Sequence, residues 1–207
     1  MEDAQAAVAC GADALGFVFA TSPRHIAPPE AGLIVRALPP FVMAVAVVAD
    51  EPLEELARKL EASGCQAVQL SGEEEPDYLR RFDQWRSLGL GRWRVIKGFR
   101  VGEIEDLRQL QRYTQADAFL LDSRVPGKAG GTGVTFDWGL VGEAAQAGKP
   151  IILAGGLNPG NVAAALNAAR PYAVDVSSGV ESKPGKKNPD LMREFVRAVR
   201  EFDARQG

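Results

Sequence analysis

The chain has 207 residues, 46% of them hydrophobic and 25% charged, with a net charge of −3 at neutral pH. That composition is ordinary for a globular domain, and the mild negative balance excludes the basic footprint of a nucleic-acid or anionic-membrane binder. Cys10 and Cys65 lie far apart and fit no metal pattern, no apolar run approaches the about 18 residues of a membrane span, and MEDAQAAV lacks the features of a leader, so a reduced, cytoplasmic setting is expected.

Small apolar and polar residues alternate at helical spacing up to Cys10, and Gly11 closes that helix. An apolar strand, 14–19, leads into the polar loop 21–26 (TSPRHI). A helix over 29–38 stops at Pro39-Pro40, and a strand follows over 41–49. Asp50 is placed to cap the next helix, which runs to about residue 62. Strand 66–70, helix 76–86, strand 93–99, helix 103–113 and strand 117–121 come next, the last ending at Asp122. The stretch 123–135 is rich in glycine (Gly127, Gly130, Gly131, Gly133), as in a mobile loop or a lid, and Phe136-Asp137-Trp138 opens another helix. The amphipathic segment 189–202 closes the chain.

Strands alternate with helices throughout, and their apolar runs are continuous, as in parallel strands covered on both faces. No composition shift divides residues 1–207, so one domain is expected. The count is about eight helices but seven strands, whereas a closed (β/α)8 barrel has eight of each. We therefore expect a (β/α)8 TIM barrel whose first β-strand is missing from this sequence, with the reading frame beginning upstream.

The chemistry concentrates in 151–181. The run Ile151–Ala154 stops at Gly155-Gly156, after which Asn158 and Pro159 read as the start of a helix. A second run, 172–176, stops at Ser177-Ser178-Gly179. Each turn alone reads equally well as a tight bend needing glycine. Two amide-rich strand ends side by side make a cradle for a phosphate dianion, and (β/α)8 barrels often place one after their last two strands.

The strings GADALGFVFATSPRHI, LLDS, GGTG with FDW, ILAGGLNPGNV and VDVSSGVESKPGKKNP resemble phosphoribosylanthranilate isomerases, in order and over nearly the whole chain. The resemblance implies a (β/α)8 barrel of tryptophan biosynthesis. Its members convert N-(5-phosphoribosyl)anthranilate to 1-(2-carboxyphenylamino)-1-deoxyribulose 5-phosphate by an Amadori rearrangement. It implies Asp122 as general acid, Arg24 on the anthranilate carboxylate, Asp175 near the ligand, and phosphate at Gly155, Gly156, Ser177, Ser178 and Gly179. Asp175 reads as readily as a buried structural carboxylate. The family's general base is a cysteine in an opening Lys-x-Cys-Gly strand, which neither Cys10 nor Cys65 matches, so this form is expected to be nearly inactive. Where the family tends to have histidine, this chain has Ser71.

His25, the only histidine, reads as a solvated loop residue; Lys183, Lys186 and Lys187 read as a solvated loop or as a patch that draws in the anionic substrate. Glu73-Glu74-Glu75 suit a helix start. The rival readings are a non-catalytic phosphate-binding remnant and a Schiff-base lyase using Lys97, which needs that amine free to attack a carbonyl. The expected partner is a small phosphosugar, with no metal, organic cofactor, nucleic acid or membrane; monomer and homodimer both remain open.

Overall fold

The computed structural model describes residues 1–89, 91–123 and 138–206. The glycine-rich stretch and the Phe136-Asp137 helix start lie outside the described residues. The chain gathers into two compact units: Met1–Gly98 with Arg112–Asp117, and Phe99–Gln111 with Ala118–Gly207. Within each unit, neighbouring strands pair in the order in which they occur along the chain.

The first unit contains α1 (Glu2–Cys10), β1 (Ala14–Val18), α2 (Pro28–Val35), β2 (Met43–Val48), α3 (Leu53–Ser63), β3 (Ala67–Leu70) and α4 (Pro76–Ser87), then most of β4 (Arg94–Val101). Its strands pair in parallel, with Ala14 opposite Met43, Val45 opposite Ala67 and Ala67 opposite Arg94. Side chains on both faces of β2 and β3 are buried, which is why these strands read as unbroken apolar runs. Leu53, Leu56 and Leu60 share one face of α3 and are buried, each contributing roughly 1.5–3 kcal/mol by leaving water. Gly64, at φ 68, closes that helix.

The second unit holds the end of β4, a 3₁₀ helix (Ile104–Arg112 less its last residue), β5 (Ala118–Ser123), α5 (Gly139–Ala144), β6 (Ile151–Ala154), α6 (Val162–Ala169) and β7 (Ala173–Val174). A hairpin of β8 (Glu181–Lys183) and β9 (Lys186–Lys187) precedes α7 (Pro189–Asp203). Phe119 pairs with Ile151, and Ile152 with Ala173, both in parallel. Phe99 and Phe119 meet edge to face at 5.5 Å between ring centroids. Asn188 caps α7, its side chain accepting from the Asp190 and Leu191 N–H groups, and Pro189 fills the first turn.

Several expected boundaries shift. The helix expected over 103–113 is wound as 3₁₀. The strand expected over 172–176 keeps only Ala173 and Val174 in the ladder. Asp50 does not cap α3, which starts at Leu53 with Pro52 as its N-cap; Asp50 sits at φ 55 and accepts from Glu73 N–H at 2.7 Å. The lysines of 183–187 are not simply a solvated loop. Pro184 and Gly185 (φ 82) suit the centre of a type II turn, and that turn folds them into the hairpin.

Candidate active site

The two amide-rich turns touch. A Cβ built on Gly179 would sit 1.9 Å from the carbonyl oxygen of Leu157, 2.9 Å from its carbon and 3.0 Å from Asn158 Cβ. The turn after β7 is thus pressed against the turn after β6, and only glycine fits the contact. Gly155 and Gly156 lie at φ 83 and 65, a left-handed region that side chains disfavour. Ser178 and Gly179 open the 3₁₀ turn Ser178–Val180, whose first N–H groups have no partner inside the turn.

The helix after β6 begins later than expected. Asn158 does not cap it: its Oδ1 accepts from Gly160 N–H, an Asx turn, and α6 starts at Val162 with Asn161 as N-cap. The Asn161 side chain braces the turn instead. It accepts from Asn158 N–H at 2.8 Å and donates to the Gly156 carbonyl at 3.0 Å. That bond fixes the peptide that follows Gly156.

Asp122 is the penultimate residue of β5, in register with Ala154 of β6, at the strand tip beside Gly155. Desolvation raises its carboxyl pKa above the ordinary value, and Arg100 pulls it back down. Asp175 leaves the β7 ladder but keeps one bond to it, donating its N–H to Leu153 O at 2.8 Å. Desolvation raises Asp175 too, opposed by Lys187 and reinforced by Asp122. Both aspartates are open to solvent by surface area although dense protein surrounds their carboxyls. Accessibility decides whether a ligand can reach them; the surrounding density sets the sign of the shift. Asp175 feels the charges of both Lys187 and Asp122, as members of one neighbourhood.

Arg100 and Lys187 carry site charge that sequence reasoning did not assign. Arg100 lies on the unburied face of β4, whose side chains alternate between buried and more exposed, near the end of the strand. Lys187 donates to the Ser177 carbonyl at 2.9 Å and to Glu181 Oε1 at 3.1 Å.

Lys97 is buried, its ammonium donating to Leu70 O at 3.3 Å, Gly72 O at 2.7 Å and Glu74 Oε2 at 2.8 Å. Committed to three acceptors, it has no free lone pair for Schiff-base chemistry, so the lyase reading fails. Glu74 is correspondingly more than a helix-start charge: its Oε1 also accepts from Asp50 and Gly72 N–H.

Arg24 is half-buried in the turn after β1, its N–H donating to Ser22 Oγ at 3.1 Å. His25 is exposed and bridges Val18 through the backbone. Cys10 is half-buried at the end of α1, and Cys65 is buried with its thiol pKa raised by desolvation. A cleft of about 390 Å³ in the first unit is lined by Asp50, Glu51, Glu54, Glu74 and Glu75, with Tyr78 and Arg81 among its walls. Five carboxylates would repel a phosphate, so the cleft is not the anion site. Among the described residues no His/Cys/Asp/Glu cluster has metal-binding geometry, and no helix is long and apolar enough to cross a membrane.

Parallel βα units whose last tips meet in glycine, beside a carboxylate at a strand end, define a protein of the (β/α)8-barrel class. Comparison with known proteins narrows this. Residues 1–198 match the family of N-(5'-phosphoribosyl)anthranilate (PRA) isomerase. The Moorella thermoacetica protein named N-(5'-phosphoribosyl)anthranilate isomerase is 47% identical over 202 residues, spanning 98% of this chain and 86% of its own length. The crystal structure of phosphoribosyl anthranilate isomerase from Thermotoga maritima superposes with a TM-score of 0.87 at 40% identity, over 97% of this chain and 94% of that one. A second crystal structure of such an isomerase, in complex with reduced 1-(o-carboxyphenylamino)-1-deoxyribulose 5-phosphate, gives 0.83 at 37% identity, over 97% and 93%. The chain belongs to the PRA isomerase family.

Proposed function

We propose that this chain is an isomerase that rearranges N-(5-phosphoribosyl)anthranilate to 1-(2-carboxyphenylamino)-1-deoxyribulose 5-phosphate, in tryptophan biosynthesis. The observation that carries the reading at the level of the site is the contact of Gly179 with Leu157, which brings two amide-rich tips together in a chain of this family.

The phosphate sits at Gly155, Gly156, Ser177, Ser178 and Gly179, held by backbone amides that carry no charge of their own to neutralise. Asp122 protonates the furanose ring oxygen; the C1–O bond breaks while the anthranilate nitrogen lone pair closes a C=N bond. Loss of the C2 proton to water then gives an enaminol, which tautomerises to the ketone. Only a protonated carboxyl can deliver the first proton, and desolvation keeps Asp122 protonated to higher pH than an ordinary aspartate. Arg24 takes the anthranilate carboxylate through its planar guanidinium. Asp175 meets the sugar near Asp122, a reading supported by the influence of the Asp122 charge on its carboxyl.

The test is turnover. The purified chain is incubated with N-(5-phosphoribosyl)anthranilate and the isomer separated by chromatography. Appearance of the carboxyphenylamino ketose above the uncatalysed rate is expected. No product, under conditions where the Moorella thermoacetica relative makes it, refutes the assignment.

A further inference from the structure

We propose that Lys187 is a positioning residue, holding the turn after β7 so that its amides face the phosphate. The proposal rests on the phosphate reading given above. Its ground is the geometry of one ammonium between two anchors.

The Ser177 carbonyl accepts from Lys187 Nζ at 2.9 Å. A carbonyl pinned in one direction also fixes the plane of its peptide, and the N–H on the far side of that plane belongs to Ser178. Lys187 therefore determines where the Ser178 amide points. The other anchor is Glu181, whose side chain is 4% exposed against 27% for Lys187, with 3.1 Å between them. Glu181 and Lys187 face each other across the β8–β9 hairpin, and Asn188 N–H returns to Val180 O at 2.8 Å. The lysine is thus fixed by a closed turn rather than reaching in from a loop.

A purely structural clasp between β8 and β9 would need no bond to Ser177. The antiparallel pairing and the Pro184-Gly185 turn already close the hairpin. The Ser177 bond leaves the hairpin and ends on the turn where Gly179 meets Leu157. Lys187 also stands near Asp175, whose carboxyl it draws down.

The test compares wild type, Lys187→Met and Lys187→Arg by calorimetric titration with inorganic phosphate and by steady-state kinetics, with thermal unfolding of the unliganded proteins alongside. Lys187→Met keeps the length of the chain and removes the donor. By analogy with groups that orient metal ligands, phosphate affinity should fall about tenfold or more. KM should rise by a similar factor with a smaller change in kcat, and Lys187→Arg should recover most of the loss. If wild type binds phosphate and Lys187→Met binds it equally well while only the melting temperature falls, Lys187 is a clasp and the proposal is overturned. If wild type does not bind phosphate at all, the phosphate reading falls and this proposal with it.

Discussion

Replacing Gly179 by alanine tests the grip at its tightest point. The new Cβ would lie 1.9 Å from Leu157 O and 2.9 Å from Leu157 C, where real Cβ contacts do not fall below 3.0 Å. Both obstacles are backbone atoms, so no rotamer change relieves them. The two turns must separate by about 1 Å, and overpacking of this kind costs about 1–3 kcal/mol of stability. The functional loss should be larger. A misplacement of about 1 Å can cost about 10²-fold in rate, since in the proposed reading the phosphate holds the sugar against Asp122. The comparison is Gly156→Ala, whose Cβ meets nothing within 4 Å but whose φ of 65 strains the backbone, by roughly 1–2 kcal/mol. The assay is kcat/KM with the phosphoribosyl substrate, paired with denaturant unfolding. Gly179→Ala should fall about a hundredfold and below Gly156→Ala. Near-wild-type kcat/KM in Gly179→Ala would refute the claim that the contact sets the site.

Asp122→Asn should lower kcat by about 10²–10⁴-fold while phosphate binding stays within twofold; equal losses in both would argue for a structural role. Activity that depends on protonated Asp122 declines as pH rises through its raised pKa. Arg100 opposes that raising, so Arg100→Met should move the falling limb of the pH–rate profile to higher pH, and a limb that stays or moves lower contradicts the assignment. Lys97→Met strands the buried Glu74 carboxylate and should cost about 3–5 kcal/mol in unfolding free energy. Borohydride with a carbonyl substrate should leave Lys97 of the wild type unlabelled.

What was legible in the sequence was whatever local pattern dictates. The β2 and β6 runs, the Asn188-Pro189 start of α7 and the Gly-Gly and Ser-Ser-Gly stops are written in neighbouring residues. The parallel strand order and the class of barrel followed from them. Bonds between distant residues were not legible: Lys97 and Glu74 are 23 positions apart, and nothing near either names the other. The start of α6 was misplaced because Asn158 and Asn161 read alike, and only the folded turn gives Asn158 the Asx bend and Asn161 the N-cap position, its side chain turned back on Gly156 and Asn158. The β8–β9 hairpin escaped notice because its strands are charged rather than alternating, although Pro184-Gly185 marked its turn. The strand 172–176 shortened because Asp175 turns out of the ladder.

The Glu74 carboxylate has a consequence for anyone recombining relatives of this chain. One oxygen serves the amides that follow β2 and β3, and the other serves the lysine on β4, so three consecutive βα modules share a single side chain. Chimeras that cross over between positions 50 and 97 inherit a mismatched junction unless Asp50, Gly72, Glu74 and Lys97 all descend from one parent. The modular look of the architecture therefore misleads here: shuffling should succeed with this quartet kept as a block, and fail within it.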